Sequence, residues 1–147
     1  MPRADFKCEY RLRVRWAEVD MQKVVFNGHY LTYIDTAIAE YWRAIGLPYP
    51  EGYVERYGND VFLRKATVEY LGSARYEDEL VVYCRTGKLG RTSMTFLFEI
   101  YRAEEGEPLL TAELVYVNAE PKAMKAAPLP EELRARIERF ERTRPQA

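Results

Sequence analysis

The residues able to do chemistry in this sequence concentrate in one stretch. Asp20, Gln22, Lys23, Asn27, Gly28 and His29 lie on a loop that runs into an apolar, helix-patterned segment opening at His29. Backbone amides at a helix start have no intrahelical acceptor, and the helix dipole adds partial positive charge there. A developing oxyanion is the natural guest of such amides. Asp20, a few residues upstream on the same loop, is placed to reach that guest as general base or as nucleophile. One loop therefore offers both halves of acyl-transfer chemistry: a group to attack a carbonyl and a group to hold its oxygen.

The flanking elements must position this loop. From Phe6 to Trp16 apolar residues hold every even position and charged residues every odd one, which predicts a long strand with one buried face. After the loop, Tyr30, Ile34, Ala37, Ile38, Tyr41 and Ile45 form one helical stripe over His29–Ile45, widened by Leu31, Tyr33, Ala39 and Trp42. Gly46 can end this helix in the left-handed conformation, with Pro48 beyond. A short second helix is expected within Pro50–Tyr57. Four more strands are expected at Val61–Leu71, Leu80–Thr86, Thr92–Tyr101 and Leu110–Asn118, with turns at Gly72-Ser73, Gly87–Gly90 and Glu104–Pro108. A terminal helix is expected over Pro130–Arg142, with Leu133, Ile137 and Phe140 as its apolar stripe. The fold class is α+β: a five-stranded antiparallel sheet wrapped around one long helix, forming one domain over residues 1–147. Such a sheet has open edges, and covering one with a second subunit predicts a homo-oligomer.

Composition removes other chemistries. The net charge is −1, so bulk attraction to nucleic acid is not expected. No apolar run approaches the ~20 residues of a membrane span. Met1–Tyr10 has no apolar core of a signal peptide, which makes the cytoplasm the expected compartment. The single histidine, His29, excludes metal sites built on two or three imidazoles. Neither Ser73 nor Ser93 lies in a G-x-S-x-G elbow, and no phosphate-binding glycine loop occurs. Cys8 and Cys84 sit in strand patterns and read as small buried hydrophobes.

The segment VRWAEVDMQKVVFNGHYLTYIDTA (Val14–Ala37) resembles the signature of the hotdog-fold acyl-CoA thioesterases of the 4-hydroxybenzoyl-CoA thioesterase type. The resemblance continues in FLRKATVEYLGSARYEDELVV (Phe62–Val82) and LGRTSMTFLFEIYR (Leu89–Arg102), and covers roughly Cys8 to Met124. It implies hydrolysis of an acyl-CoA thioester to free acid and CoA, with no metal or organic cofactor, since CoA is part of the substrate. Asp20 matches the family's catalytic aspartate. Asn27 occupies the position whose backbone amide polarises the carbonyl, with the amide of Gly28 next in line. Tyr30 matches an aromatic lining the acyl pocket. Arg91, Thr92 and Ser93 match a stretch near pantetheine and nucleotide. The family's sites lie at a dimer interface, which implies a dimer or a dimer of dimers (a homotetramer). Lys23 stands where the family usually has Gly, Ser73 where Pro is frequent, and Asn27 where relatives often have His.

Plainer readings stand beside these. His29 can be simply a helix-start residue, Glu18 a solvated or arginine-paired acid, and Asp35 a structural acid. Tyr33, Tyr41 and Trp42 suit the core or a dimer contact. Arg64 and Lys65 are adjacent on a strand, so only one, with Lys65 the candidate, can meet a given CoA phosphate. The charged run Arg134–Arg144 reads as a solvated helix face. Two other functions fit the same fold. One is a non-hydrolytic module that binds acyl-CoA or an acyl carrier. The other is a hydratase, which would need a histidine where Val25 stands.

Overall fold

The computed structural model describes residues 5–103 and 106–141. Along the chain these form β1 (Cys8–Arg13), a 3-10 turn at Trp16–Glu18, α1 (His29–Ala44), a π-helical turn at Glu51–Glu55, β2 (Asp60–Tyr70), β3 (Glu79–Leu89), β4 (Ser93–Arg102), β5 (Pro108–Glu120), β6 (Lys125–Ala126) and α2 (Glu131–Glu141). The sheet is antiparallel throughout, in the order β1-β3-β4-β5-β2, and β6 pairs with the end of β5. This is the expected hotdog arrangement, with a short sixth strand that the sequence pattern did not announce.

Register explains how the helix is enclosed. Directly opposed residues share a face, so each inward position extends into a row across the sheet. Tyr70, Leu110, Ile100, Val82 and Tyr10 make one such row, and Val68, Ala112, Phe98, Cys84 and Cys8 the next. Helix α1 lies under the β1 and β3 side of these rows and buries Tyr30, Tyr33, Ile34, Ala37, Ile38, Tyr41 and Trp42. Leu31, expected in the stripe, is instead 42% exposed. Gly46 does follow the helix in the left-handed region, at φ 84°. The rows outrun the helix at β2. There Leu63 and Tyr70, although on the inward face, remain 53% and 47% exposed.

Three local expectations are corrected. The first strand ends at Arg13 rather than Trp16, because the chain turns into the 3-10 segment, where the Glu18 carboxylate accepts from the Arg15 amide at 2.8 Å. Trp16 is consequently 73% exposed and stands edge-on to Tyr76 at 5.3 Å. Gly87 lies inside β3 at a register shift between Thr86 and Lys88, not in a turn, and the turn narrows to the residues around Gly90–Thr92. Arg64 and Lys65 do not simply alternate. A register shift passes over Arg64, leaving Leu63 opposite Tyr116 and Lys65 opposite Val115. Glu104, Arg142 and Arg144 lie outside the described residues.

The carboxy-terminal helix is docked by polar contacts as well as by its apolar stripe. Buried Glu141 accepts from the Tyr41 hydroxyl (2.6 Å) and the Thr86 amide (2.9 Å), and Thr86 Oγ1 donates to the Tyr41 oxygen (2.8 Å). At the helix's other end Glu132 takes two bonds from Arg56 and one from the Tyr57 hydroxyl. Cys8 and Cys84 are free, buried and opposed in the β1–β3 ladder, and burial raises both thiols above their ordinary range.

Candidate active site

Asp20 stands on a small hairpin whose turn is closed by three hydrogen bonds. Its amide donates to the Val24 carbonyl (3.0 Å), its carbonyl accepts from the Lys23 amide (2.9 Å), and its Oδ1 accepts from the Gln22 amide (2.8 Å). Val19 bridges Val25, and the Phe26 amide donates to the Glu18 carbonyl at 3.0 Å. This is a three-residue hairpin loop, Met21 to Lys23, whose last residue must be left-handed. Lys23 takes that conformation with φ 66°. The backbone thus keeps a shape natural to glycine although the residue is lysine. Asp20 is half-buried, and among the described residues its carboxylate enters no ion pair.

Two anchors hold the hairpin. The Val25 amide donates to the Ala74 carbonyl (2.9 Å), which ties the loop to the β2–β3 connection. Buried Glu18 accepts from Arg15 and from the Tyr33 hydroxyl, the latter at 2.9 Å. Burial alone would raise the Glu18 carboxyl. The bonds from the Arg15 backbone and side chain and from Tyr33 outweigh it and hold the group below its ordinary range. Glu18 is therefore the arginine-paired acid of the plainer reading, but it is not solvated.

The helix start is open. Gly28 is the residue before α1, with no side chain capping it, and the His29 amide closes a turn onto the Phe26 carbonyl at 2.9 Å. Among the described residues, the Asn27 and Gly28 amides donate to no protein oxygen. A side chain on Gly28 would crowd the Phe26 ring, with a Cβ only 3.1 Å from it. His29 is half-exposed, its ring edge-on to Phe26 at 5.9 Å. Buried Tyr30 accepts from the Ala74 amide at 2.9 Å, and its ring meets those of Tyr33 and Tyr70. Tyr70, which the sequence pattern did not single out, donates its hydroxyl to the Asn27 carbonyl at 3.2 Å. The available signal was its place as the last inward residue of β2, a strand end carrying a polar tip.

The other candidates lie elsewhere. Arg91 and Thr92 lie in the β3–β4 turn, and Ser93 opens β4. There the Arg91 carbonyl accepts from the Leu129 amide (2.9 Å) and the Thr92 carbonyl from the Asn118 amide (2.8 Å). Arg91 is exposed and lines a groove with Leu129, Arg134 and Glu138. Strand β3 starts beside the Asp20 hairpin and ends at this turn. Its 11 residues span roughly 35 Å at the rise of a strand. Within one chain, Asp20 and Arg91–Ser93 therefore sit at opposite ends of the sheet. Lys65 lies in mid-β2, exposed. Asp35 is exposed on α1, while Tyr33, Tyr41 and Trp42 are core. Among the described residues no group of three or more His, Cys, Asp or Glu could hold a metal ion, and no helix is long and apolar enough to cross a membrane.

Comparison with known proteins bears on this geometry. A family model described as Thioesterase superfamily matches residues 22–109, beginning two residues past Asp20. The chain is 30% identical over 122 residues to the acyl-CoA thioester hydrolase YbgC of Escherichia coli O6:H1, covering 83% of this chain and 89% of that protein. It is 28% identical over 132 residues to the chloroplastic acyl-acyl carrier protein thioesterase ATL3 of Arabidopsis thaliana, covering 90% and 68% of the two chains. Among solved structures, a thioesterase from Thermus thermophilus complexed with coenzyme A and Zn superposes with a TM-score of 0.78 at 28% identity, covering 93% of this chain and 96% of that one.

Proposed function

The chain belongs to the thioesterase superfamily and is a thioester hydrolase, and from that premise we propose that it cleaves acyl-CoA at the Asp20 hairpin. Asp20 serves as nucleophile or general base, and the Asn27 and Gly28 amides hold the thioester oxygen as it gains charge. The observation that carries this reading is the succession, along one short segment, of a hairpin carboxylate that among the described residues enters no ion pair and two helix-entrance amides that donate to no described protein oxygen. Backbone donors fixed in advance need no reorganisation when charge develops, which is what makes them effective. The left-handed Lys23 keeps the loop in the shape that glycine would give it, so the lysine is compatible with hydrolysis at this hairpin.

The site is completed by a second copy of the chain. In this reading β2, with its inward face uncovered at Leu63 and Tyr70, pairs edge to edge with β2 of a partner across a two-fold axis. Antiparallel pairing reverses the partner's sheet. The partner's β3–β4 turn then comes toward the Asp20 end while its Lys65 stays at the middle of the seam, so that Arg91, Thr92, Ser93 and Lys65 serve the CoA moiety from across it. The coenzyme A bound by the similar thioesterase from Thermus thermophilus supports CoA as the thiol. The cytoplasm is the compartment proposed for a hydrolase of this substrate.

The test is direct. Butyryl-, palmitoyl- and benzoyl-CoA are incubated with the protein, and free thiol is followed with a dye. Thiol release from at least one of them is expected. Binding of these acyl-CoAs by calorimetry with no thiol release would establish a binding module instead.

A further inference from the structure

We propose that Tyr70 is a positioning residue for thioester hydrolysis, its hydroxyl orienting the peptide unit that carries the Gly28 amide. A trans peptide places its C=O and N–H on opposite edges of one plane. Fixing the carbonyl of Asn27 therefore fixes the direction of the Gly28 N–H. The Tyr70 hydroxyl donates to that carbonyl at 3.2 Å. The preceding unit is held in the same manner, since the Phe26 carbonyl accepts from the His29 amide at 2.9 Å. Both peptide units of the helix entrance are thus anchored through their oxygens, while among the described residues their N–H groups donate to no protein oxygen.

Tyr70 is itself on firm ground. It is paired with Leu110 in the β2–β5 ladder, and the next two amides, those of Leu71 and Gly72, both donate to the Leu109 carbonyl, at 2.8 and 3.0 Å. Its ring stands against Tyr30 with centroids 5.8 Å apart and planes at 69°. Tyr30 in turn is fixed by the Ala74 amide. The sheet is therefore tied to the helix entrance through one phenol. A bond accepted at the carbonyl also polarises the amide and strengthens its N–H as a donor. An apolar residue filling the same place would supply contact area without either effect.

The inference rests on the proposed role of the Asn27 and Gly28 amides, and its test separates the two. Tyr70→Phe removes only the hydroxyl. With the best substrate of the three acyl-CoAs, kcat is expected to fall about tenfold, less than the ~10²–10³ for loss of a whole oxyanion donor. KM should stay within about twofold, and the thermal midpoint close to that of wild type. An independent readout uses the Asp20→Asn background, in which bound acyl-CoA persists. The thioester carbonyl stretch, read by isotope-edited infrared difference spectroscopy, should lie closer to its position in water when Tyr70→Phe is added. A wild-type kcat in Tyr70→Phe, or a change confined to KM, would reduce Tyr70 to a wall of the acyl site and overturn the inference. Wild-type turnover in Asp20→Asn alone would instead remove the underlying mechanism.

Discussion

The Tyr33 hydroxyl donates to Glu18 Oε1 at 2.9 Å, joining the buried face of α1 to the loop two residues ahead of Asp20. Glu18 is also bound by the Arg15 amide and guanidinium. Replacing it with Ala leaves the Tyr33 hydroxyl buried without its partner, which costs about 1–3 kcal/mol. The Asp20 hairpin should loosen with it. Glu18→Ala is expected to lower both the denaturation midpoint and kcat. Because the folded carboxyl lies below its ordinary range, its ionisation stabilises the fold above the unfolded pKa, and that contribution is lost as pH falls through the folded value. The advantage of wild type over Glu18→Gln should therefore shrink in acid, as urea titrations at several pH values will show.

Lys23 carries a conformational cost that glycine would not. With φ at 66° its Cβ crowds the backbone, a strain of roughly 1–2 kcal/mol per residue, partly offset by the greater freedom of glycine in the unfolded chain. Lys23→Gly is expected to stabilise the protein by about 0.5–1 kcal/mol in equilibrium unfolding, with turnover unchanged. A loss of stability would mean that the lysine side chain contributes more than its backbone costs.

Glu141 tests how α2 is held. Removing its carboxylate in Glu141→Ala strands the buried Tyr41 hydroxyl and Thr86 amide, at about 2–3 kcal/mol. Glu141→Gln keeps an acceptor and should cost less. Burial raises the Glu141 carboxyl above its ordinary range despite the bonds from Tyr41 and Thr86. Its native form binds a proton more tightly than the unfolded chain does, so its ionisation is destabilising as pH rises through the folded value. Stability of wild type relative to Glu141→Gln should accordingly improve as pH is lowered from neutral toward the ordinary carboxylate range, measured by thermal midpoints over that interval.

The exposed inward face of β2 predicts assembly. Wild type should sediment at about twice the 17.3 kDa chain mass or a multiple of it. Leu63→Glu, which places a charge on that face, should shift it toward monomer. It should also cut kcat/KM by tenfold or more, about 1.4 kcal/mol or above, because each site would lose the partner's contribution. A monomeric variant with full activity would contradict the shared site.

Helix α1 was legible because its stripe repeats at helical spacing over four turns, and β4 because Met94, Phe96, Phe98 and Ile100 alternate without a break. The Asp20 loop was legible through residue types at a helix entrance. The end of β1 was not. Trp16 continues the alternation, yet Arg15 and Glu18 close a local turn, and a turn made by side-chain bonds leaves no period in the sequence. The passing-over of Arg64 was equally silent, since one inserted residue changes register without changing composition. Nothing in the sequence marks Tyr70 within the Val61–Leu71 strand pattern, because its partner is a backbone carbonyl 43 residues away.

Turnover of Asp20→Asn tests the mechanism most directly. The substitution keeps the side chain's shape and an oxygen able to accept from the Gln22 amide, so the hairpin should persist, as circular dichroism and thermal midpoint will confirm. With the best acyl-CoA substrate, kcat is expected to fall by about 10²-fold or more, the range of acid–base and nucleophilic groups. A folded Asp20→Asn enzyme that releases thiol at nearly the wild-type rate would place the reaction elsewhere on the molecule.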